Sequence, residues 1–272
     1  MNAHTDIRPN IPLKDFRSIF ISDVHLGSKG CQAEALCDFL KHHECERLYL
    51  VGDIIDGWRI RKKWFWPQSH TNVIRRILTA SKRGTDVHYI IGNHDEFLRG
   101  FLRFHISFGA IKISNRAVHE GVDGKRYFVC HGDMFDGLMR SDRKWIMFAG
   151  DNLYNFLLWA NTKLNTIRRI LGLSYWSLSK ALKSRTKRAM NFINSFEDQV
   201  AEYCKRKGYD GAICGHIHVA EIREIDGITY MNDGDWVESC TALVEHHDGR
   251  WELIEHPISL HKRAKLKTLL PS

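Results

Sequence analysis

Five short segments of this 272-residue chain set Asp, His and Asn at small fixed spacings: Asp23-x-His25, Gly52-Asp53-x-x-Asp56, Gly92-Asn93-His94-Asp95, His131-Gly132-Asp133 and Gly215-His216-x-His218. Such side chains hold hard or borderline cations through oxygen and imidazole nitrogen, and they move protons near neutral pH. Without a thiolate in the set, the metals that fit are Mn²⁺, Fe and Zn²⁺. In D-x-H and H-x-H the two side chains are two residues apart, so an extended chain leaving a strand puts both on the same side. A carboxylate such as Asp53 can bridge two cations. Two metals a few ångströms apart then clamp a phosphate and share a hydroxide nucleophile. Each fragment alone reads as readily as a turn, a helix cap or a structural histidine. Five in series point to one site.

The elements that must position them are legible as apolar runs just upstream. SIFIS (18–22), RLYLV (47–51), VHYII (87–91), YFVC (127–130) and GAIC (211–214) are short, rich in β-branched or aromatic residues, and bounded by Gly or Asp. That is the pattern of strands buried on both faces. Helical periodicity over 31–43 and 69–83 separates the first three, which predicts an α/β core with βαβ units. The polar residues therefore sit at carboxyl ends of strands, the edge where open α/β sheets carry their sites. Gly92 is expected to let the chain turn tightly before Asn93. Asp95 and Asp133 are expected to cap helices or to brace the ligands.

Asp123-Gly124, Asp226-Gly227 and Asp248-Gly249 lie between strand-like runs. Asp-Gly favours the type I′ turn, so each predicts a β-hairpin and a partly antiparallel second half. Residues 138–207 have helical spacing of apolar and basic residues and read as a helical insertion between two core strands, within a single domain spanning 1–272. The final HKRAKLKTLLPS is a basic tail.

The chain is 43% apolar and 26% charged, as for an ordinary globular protein. No apolar run approaches the roughly 20 residues of a membrane span, and the N-terminal residues lack the apolar stretch of a signal peptide, so a cytoplasmic location is expected. Seven cysteines without a C-x-x-C pair predict free thiols. The net charge of +8 coincides with residues 134–207, which hold 14 Lys/Arg against 6 Asp/Glu and leave 26 against 26 elsewhere. Aromatics interleave with those cations. Such a surface suits nucleic acid, an anionic membrane, or a pocket for an amphiphilic phosphate, beside the simpler reading of a solvated helical face.

The series D-x-H, G-D-x-x-D, G-N-H-D, H-G-D and G-H-x-H, in this order, resembles the calcineurin-like metallophosphoesterases. The resemblance implies a four-layer α/β/β/α sandwich with a helical insertion acting as cap or lid. It implies two divalent metals, Mn²⁺ foremost with Fe or Zn as alternatives. One would be held by Asp23, His25, Asp53 and His218, the other by Asp53, Asn93, His131 and His216. It makes His94 the proton donor to the leaving oxygen and Asp56 the carboxylate that orients it. An imidazole held by an acid and facing a bound phosphate is suited to that task.

Within the superfamily the chain is similar to the UDP-2,3-diacylglucosamine pyrophosphatases of lipid A synthesis, through ISDVHLG (21–27), the insertion directly after HGD, and NDGDWVES (232–239). This implies hydrolysis of a pyrophosphate in a lipid-linked nucleotide by a metal-bridging hydroxide, with the insertion holding acyl chains and the protein lying peripherally on the cytoplasmic face of the inner membrane. Asn93, His94, Asp136, Arg143 and Lys187 are candidate substrate contacts. Well-studied members of that branch carry arginine at the position of His94 and glutamate at that of Asp56. A phosphodiesterase or phosphatase acting on nucleotides or nucleic acid is therefore the alternative, and a non-enzymatic scaffold on the same fold is a second.

Overall fold

The computed structural model describes residues 14–104, 111–136 and 178–257. The chain forms two compact units, residues 134–199 and the remainder. Most of the expected helical insertion, residues 138–177, lies outside the described residues. Within it, a helix runs from Leu178 to Lys207.

Two sheets form the larger unit. The first has six strands in the order β11-β10-β1-β2-β3-β4. Of these, β1 (Lys14–Ile21), β2 (His43–Val51), β3 (Asp86–Ile90) and β4 (Lys112–Ser114) are parallel, while β10 (Thr241–Glu245) and β11 (Trp251–Glu255) continue antiparallel. The second has five, in the order β5-β6-β7-β9-β8. Here β6 (Arg126–Val129), β7 (Gly211–Cys214) and β9 (Ile228–Asn232) are parallel, flanked by antiparallel β5 (Ala117–Glu120) and β8 (Glu221–Ile225).

Strand alternation sorts the core into layers. Ile19 and Ile21 face Leu36, Phe39, Val73 and Ile77 from α1 (Ala33–His42) and α3 (Gln68–Lys82). Phe20, between them in sequence, faces the other way and joins Tyr49, Val51, Ile90, Tyr127, Val129, Ile213 and Met231 between the sheets. Phe128 points out of the second sheet onto Tyr203, 5.0 Å between ring centroids, near the end of the helix Leu178–Lys207. The result is helix, sheet, sheet, helix, the four-layer α/β architecture expected from the sequence. All seven cysteines are free thiols. Among the described residues no helix is long and apolar enough to cross a membrane.

All three Asp-Gly pairs close antiparallel hairpins, but only one has the expected turn. At Asp226-Gly227 both residues are left-handed (φ 50° and 82°), the type I′ geometry. At Asp123-Gly124 and Asp248-Gly249 only the glycine has positive φ, and its amide donates to the carbonyl three residues back. In both loops the aspartate side chain turns inward and accepts the amide two residues on, which favours the longer, bulged loop.

One buried polar cluster ties the sheets together. Glu245 on β10 accepts from Arg17 (2.8 Å) and Ser18 (3.1 Å) on β1 and lies 2.8 Å from His119 Nε2 on β5. It also accepts the amide of Val122 at 2.9 Å. Glu245→Ala strands these donors inside the molecule, and we expect it to lower stability by about 3–5 kcal/mol, read as a lower urea midpoint at unchanged slope.

Candidate metal centre

The carboxyl ends of β1, β2 and β3 from one sheet and of β6 and β7 from the other converge, and each carries one of the five segments. Backbone hydrogen bonds bind the connecting loops to one another beyond the strands. Asp23 N donates to Gly52 O (3.1 Å), His25 N to Asp53 O (2.9 Å), and Gly215 N to His131 O (3.1 Å).

Five of the seven candidate ligands are left-handed: Asp23 (φ 51°), His25 (53°), Asp53 (53°), His216 (72°) and His218 (56°). This conformation costs a non-glycine residue roughly 1–2 kcal/mol. Side chains two apart therefore share a side because of left-handed turns at both residues, not because of the extended alternation expected for D-x-H and H-x-H. Gly92 also has a different role, since its φ is not in the left-handed region. A Cβ there would meet the Asp53 carboxylate and amide and the His131 ring, so glycine is required by close approach.

The side chains form overlapping groups: Asp23, His25 and His218; Asp23, Asp53 and His131; His25, Asp53 and His94. Asn93 and His216 join through His131. The Nδ1 of His131 lies 3.0 Å from the carbonyl oxygen of Val51, which can only accept, so in a neutral ring Nδ1 holds the proton. Its Nε2 then presents a lone pair to Asp53 Oδ2 (3.3 Å), Asn93 Oδ1 (3.2 Å) and His216 Nδ1 (3.3 Å). Asp23 Oδ1 is buried without a hydrogen-bond partner among the described residues, although His218 Nε2 is 3.0 Å away. Electron pairs that face each other at such distances need a proton or a cation between them. The oxygen and imidazole donors fit a divalent metal of the Mn²⁺, Fe or Zn²⁺ type.

The electrostatics agree. Burial disfavours charge on every member, yet the Asp53 and Asp23 carboxylates outweigh it and hold the His131 imidazole well above its ordinary range. Likewise His25 is raised to about 10, against its burial, by Asp23, Asp56 and Asp53. Asp53 is lowered to about 2, burial being overcome by His131.

His94 and Asp56 stand at one edge of this group. Asp56 caps α2 (Gly57–Lys62), Oδ1 accepting the Arg59 amide at 2.9 Å, and the same oxygen lies 3.1 Å from His94 Nδ1. The opposite ring nitrogen, Nε2, lies 3.9 Å from Asp53 Oδ2. Burial opposes ionisation of Asp56, but the imidazoles of His25 and His94 and the Arg59 amide hold its carboxyl below the ordinary range. Asp95 is fully buried and accepts from Ile54 N (3.0 Å), Tyr89 Oη (2.7 Å) and Gly92 N, so it braces the loops that carry Asp53 and Asn93. Asp133 pairs instead with Arg99, at 2.6 Å.

Of the remaining candidates, Asp136 is half-buried in the smaller unit. Arg143 and the side chain of Lys187 lie outside the described residues. Two residues went unnoticed in the sequence. Ser22 donates to the Asp23 carboxylate at 2.6 Å, and Trp58 packs on His94 with 4.1 Å between ring centroids. The signal for Trp58 was its place two residues past Asp56, in a stretch (57–85) with eight Lys/Arg and no acid.

The model of the calcineurin-like phosphoesterase family matches residues 16–220. Among curated proteins, the UDP-2,3-diacylglucosamine hydrolase of Neisseria gonorrhoeae is 26% identical over 247 residues, covering 84% of this chain and 92% of that one. The enzyme of the same name from Neisseria meningitidis serogroup B is 28% identical over 246 residues, 83% and 92% of the two chains. The namesake from Porphyromonas gingivalis matches at 28% over 121 residues, 42% of this chain and less than half (45%) of its own length. Among solved structures, an archaeal phosphodiesterase superposes with a TM-score of 0.41 at 14% identity, covering 88% of this chain and 98% of that one.

Two outcomes are expected. Gly92→Ala pushes apart Asp53 and His131, and divalent metal affinity by equilibrium dialysis should fall roughly 10–100-fold. Metal binding should also expel protons, because His25 and His131, raised above the ordinary imidazole range, are protonated at neutral pH until a cation takes their place. Below about pH 10, where His25 titrates, affinity should thus weaken as pH falls, by about tenfold per unit for each proton displaced. Calorimetry in buffers of different ionisation enthalpy would detect that release, and a heat independent of buffer would contradict it.

Proposed function

Because this chain belongs to the calcineurin-like phosphoesterases, we propose that it hydrolyses a pyrophosphate bond of UDP-2,3-diacylglucosamine or a related lipid-linked nucleotide, with two divalent metals, Mn²⁺ foremost. The observation that carries the hydrolytic reading is the convergence of the Asp53, Asn93 and His216 side chains on His131 Nε2, beside a His94 whose far nitrogen is turned to Asp53. The substrate comes from the two Neisseria relatives, which match over most of the chain.

When bound, divalent cations supply Lewis acidity toward phosphate oxygens and a nucleophilic water at neutral pH. Asp23, His25, Asp53 and His218 would hold one, and Asp53, Asn93, His131 and His216 the other. The protein's own groups do the rest. Asp56 fixes the imidazole of His94 through Nδ1, which leaves Nε2 to deliver a proton to the leaving oxygen. Burial of Asp23, Asp53 and His131 keeps the site dry and its electrostatics strong. The reading carries with it a peripheral contact with anionic membrane, where such a substrate resides, through the basic and aromatic residues of 138–207.

One observation favours a second reading, hydrolysis of a nucleotide phosphodiester. The Asp56–His94 pair at 3.1 Å is suited to proton donation, which esters with alkoxide leaving groups need more than pyrophosphates do.

With Mn²⁺, a panel of UDP-2,3-diacylglucosamine, simple nucleotide sugars, cyclic dinucleotides and a chromogenic diester distinguishes the two. Selective release of UMP from the lipid-bearing substrate is expected, while preference for a diester would favour the second. Asp53→Ala removes the bridging carboxylate and should abolish all turnover. Full activity of a folded Asp53→Ala protein would defeat both readings.

A further inference from the structure

His94 is held by more than its motif. Its backbone amide donates to Asp53 Oδ1 (2.8 Å), and its carbonyl accepts from Gly57 N (2.9 Å). In the side chain, Nδ1 is set against Asp56, and the His25 ring meets it edge-on at 4.6 Å and 89°. Trp58 also packs against the imidazole, its ring 4.1 Å away and tilted by 36°. Trp58 is itself tethered, its indole N–H donating to Glu96 Oε1 at 3.2 Å.

Trp58 is an unusual residue to find there. It is 38% exposed and, among the described residues, is in neither the helix-side cluster around Ile19 nor the inter-sheet cluster around Phe20. It sits in the first turn of a six-residue helix otherwise rich in Arg and Lys. A large aromatic side chain left half in water, with its contact made on a candidate proton donor, has little to contribute to the core. The contact with Asp56 restrains one nitrogen of His94. An aromatic ring packed on the imidazole limits how far it can turn about that point.

We propose that Trp58 is a positioning residue for proton transfer by His94, its ring restraining the imidazole in addition to Asp56 and His25. This rests on the reading of His94 as the proton donor. In the step it serves, a bond from phosphorus to the oxygen of an attacking water forms as the bond to the leaving oxygen breaks. The leaving oxygen takes that bond's electron pair together with the proton from His94 Nε2, and the proton released by the water restores the ring. A ring that swings delivers its proton less often. The loss is felt most when the leaving oxygen is a poor leaving group.

The test compares thymidine 5′-phosphodiesters of p-nitrophenol and of phenol on the Mn²⁺-loaded full chain. Trp58→Ala is expected to lower kcat on the phenyl ester by roughly tenfold to a hundredfold, the scale of misplacing a catalytic group, and to leave the p-nitrophenyl ester within about threefold, since little proton transfer is needed there. Trp58→Phe should restore most of the phenyl-ester rate. Melting temperature and metal content should match the parent, as befits a residue outside the core. His94→Ala should show the same split between esters, and the double variant should be no slower than His94→Ala alone. Equal slowing of both esters by Trp58→Ala, or effects that multiply in the double variant, would overturn the positioning role. If His94→Ala itself shows no split, the proton-donor reading fails first and the role of Trp58 falls with it.

Discussion

Asp53 is the carboxylate around which the structure is arranged. Its Oδ1 accepts the His94 amide, its Oδ2 lies 3.3 Å from His131 Nε2, and its own carbonyl receives the amide of His25. One residue thus touches the loops after β1, β2, β3 and β6. A buried carboxylate in this position needs positive charge around it, which the imidazoles supply and a divalent cation supplies more fully. Crowding follows from the same demand. Gly52 and Gly92 flank the Asp53 and His131 side chains so closely that a methyl group at either would collide with them.

Left-handed backbone at five candidate ligands costs several kcal/mol in all, at roughly 1–2 kcal/mol each. Such strain persists only where the surroundings over-determine the conformation. Here they do. Each loop is hydrogen-bonded to its neighbour, Asp95 collects three donors from the segments on either side, and the strands beneath bury Phe20, Val51, Ile90, Val129 and Ile213 between two sheets. The Glu245 cluster joins the same two sheets through β1, β10 and β5. The rigidity of the site is thereby borrowed from the sandwich, which holds the donors facing one another.

The core strands and the segments at their ends were legible because both signals are local. A run such as VHYII declares a buried strand, and the polar residues follow within three positions. What escaped was whatever depends on contacts across the chain. Gly92 reads as a turn residue from its neighbours, and only the approach of Asp53 and His131 shows that space is what it provides. The Asp-Gly pairs announced hairpins correctly, but inward-turned Asp123 and Asp248 select a different loop from Asp226. Strand β4 is three residues long, too short to express any period. The residues outside 134–207 carry no net charge as a whole, yet they include the acid-free stretch 57–85, in which Trp58 lies. Trp58 itself carries no motif, and its partner His94 is 36 positions away.

The pair His94 and Asp56 bears on substrate through the chemistry of departure. Cleaving a pyrophosphate expels a phosphate, already a stable anion, so a proton donor adds little to the rate. Cleaving a phosphate ester expels an alkoxide, and there the donor matters. With His94 as the proton donor, a site that buries it, aims one of its nitrogens at Asp56 and packs Trp58 against its ring suits the harder departure. Each of these contacts restrains the ring. The metal-binding groups alone serve both substrate classes equally. The balance between a lipid-linked pyrophosphate and a phosphodiester therefore rests on this one imidazole and its two walls.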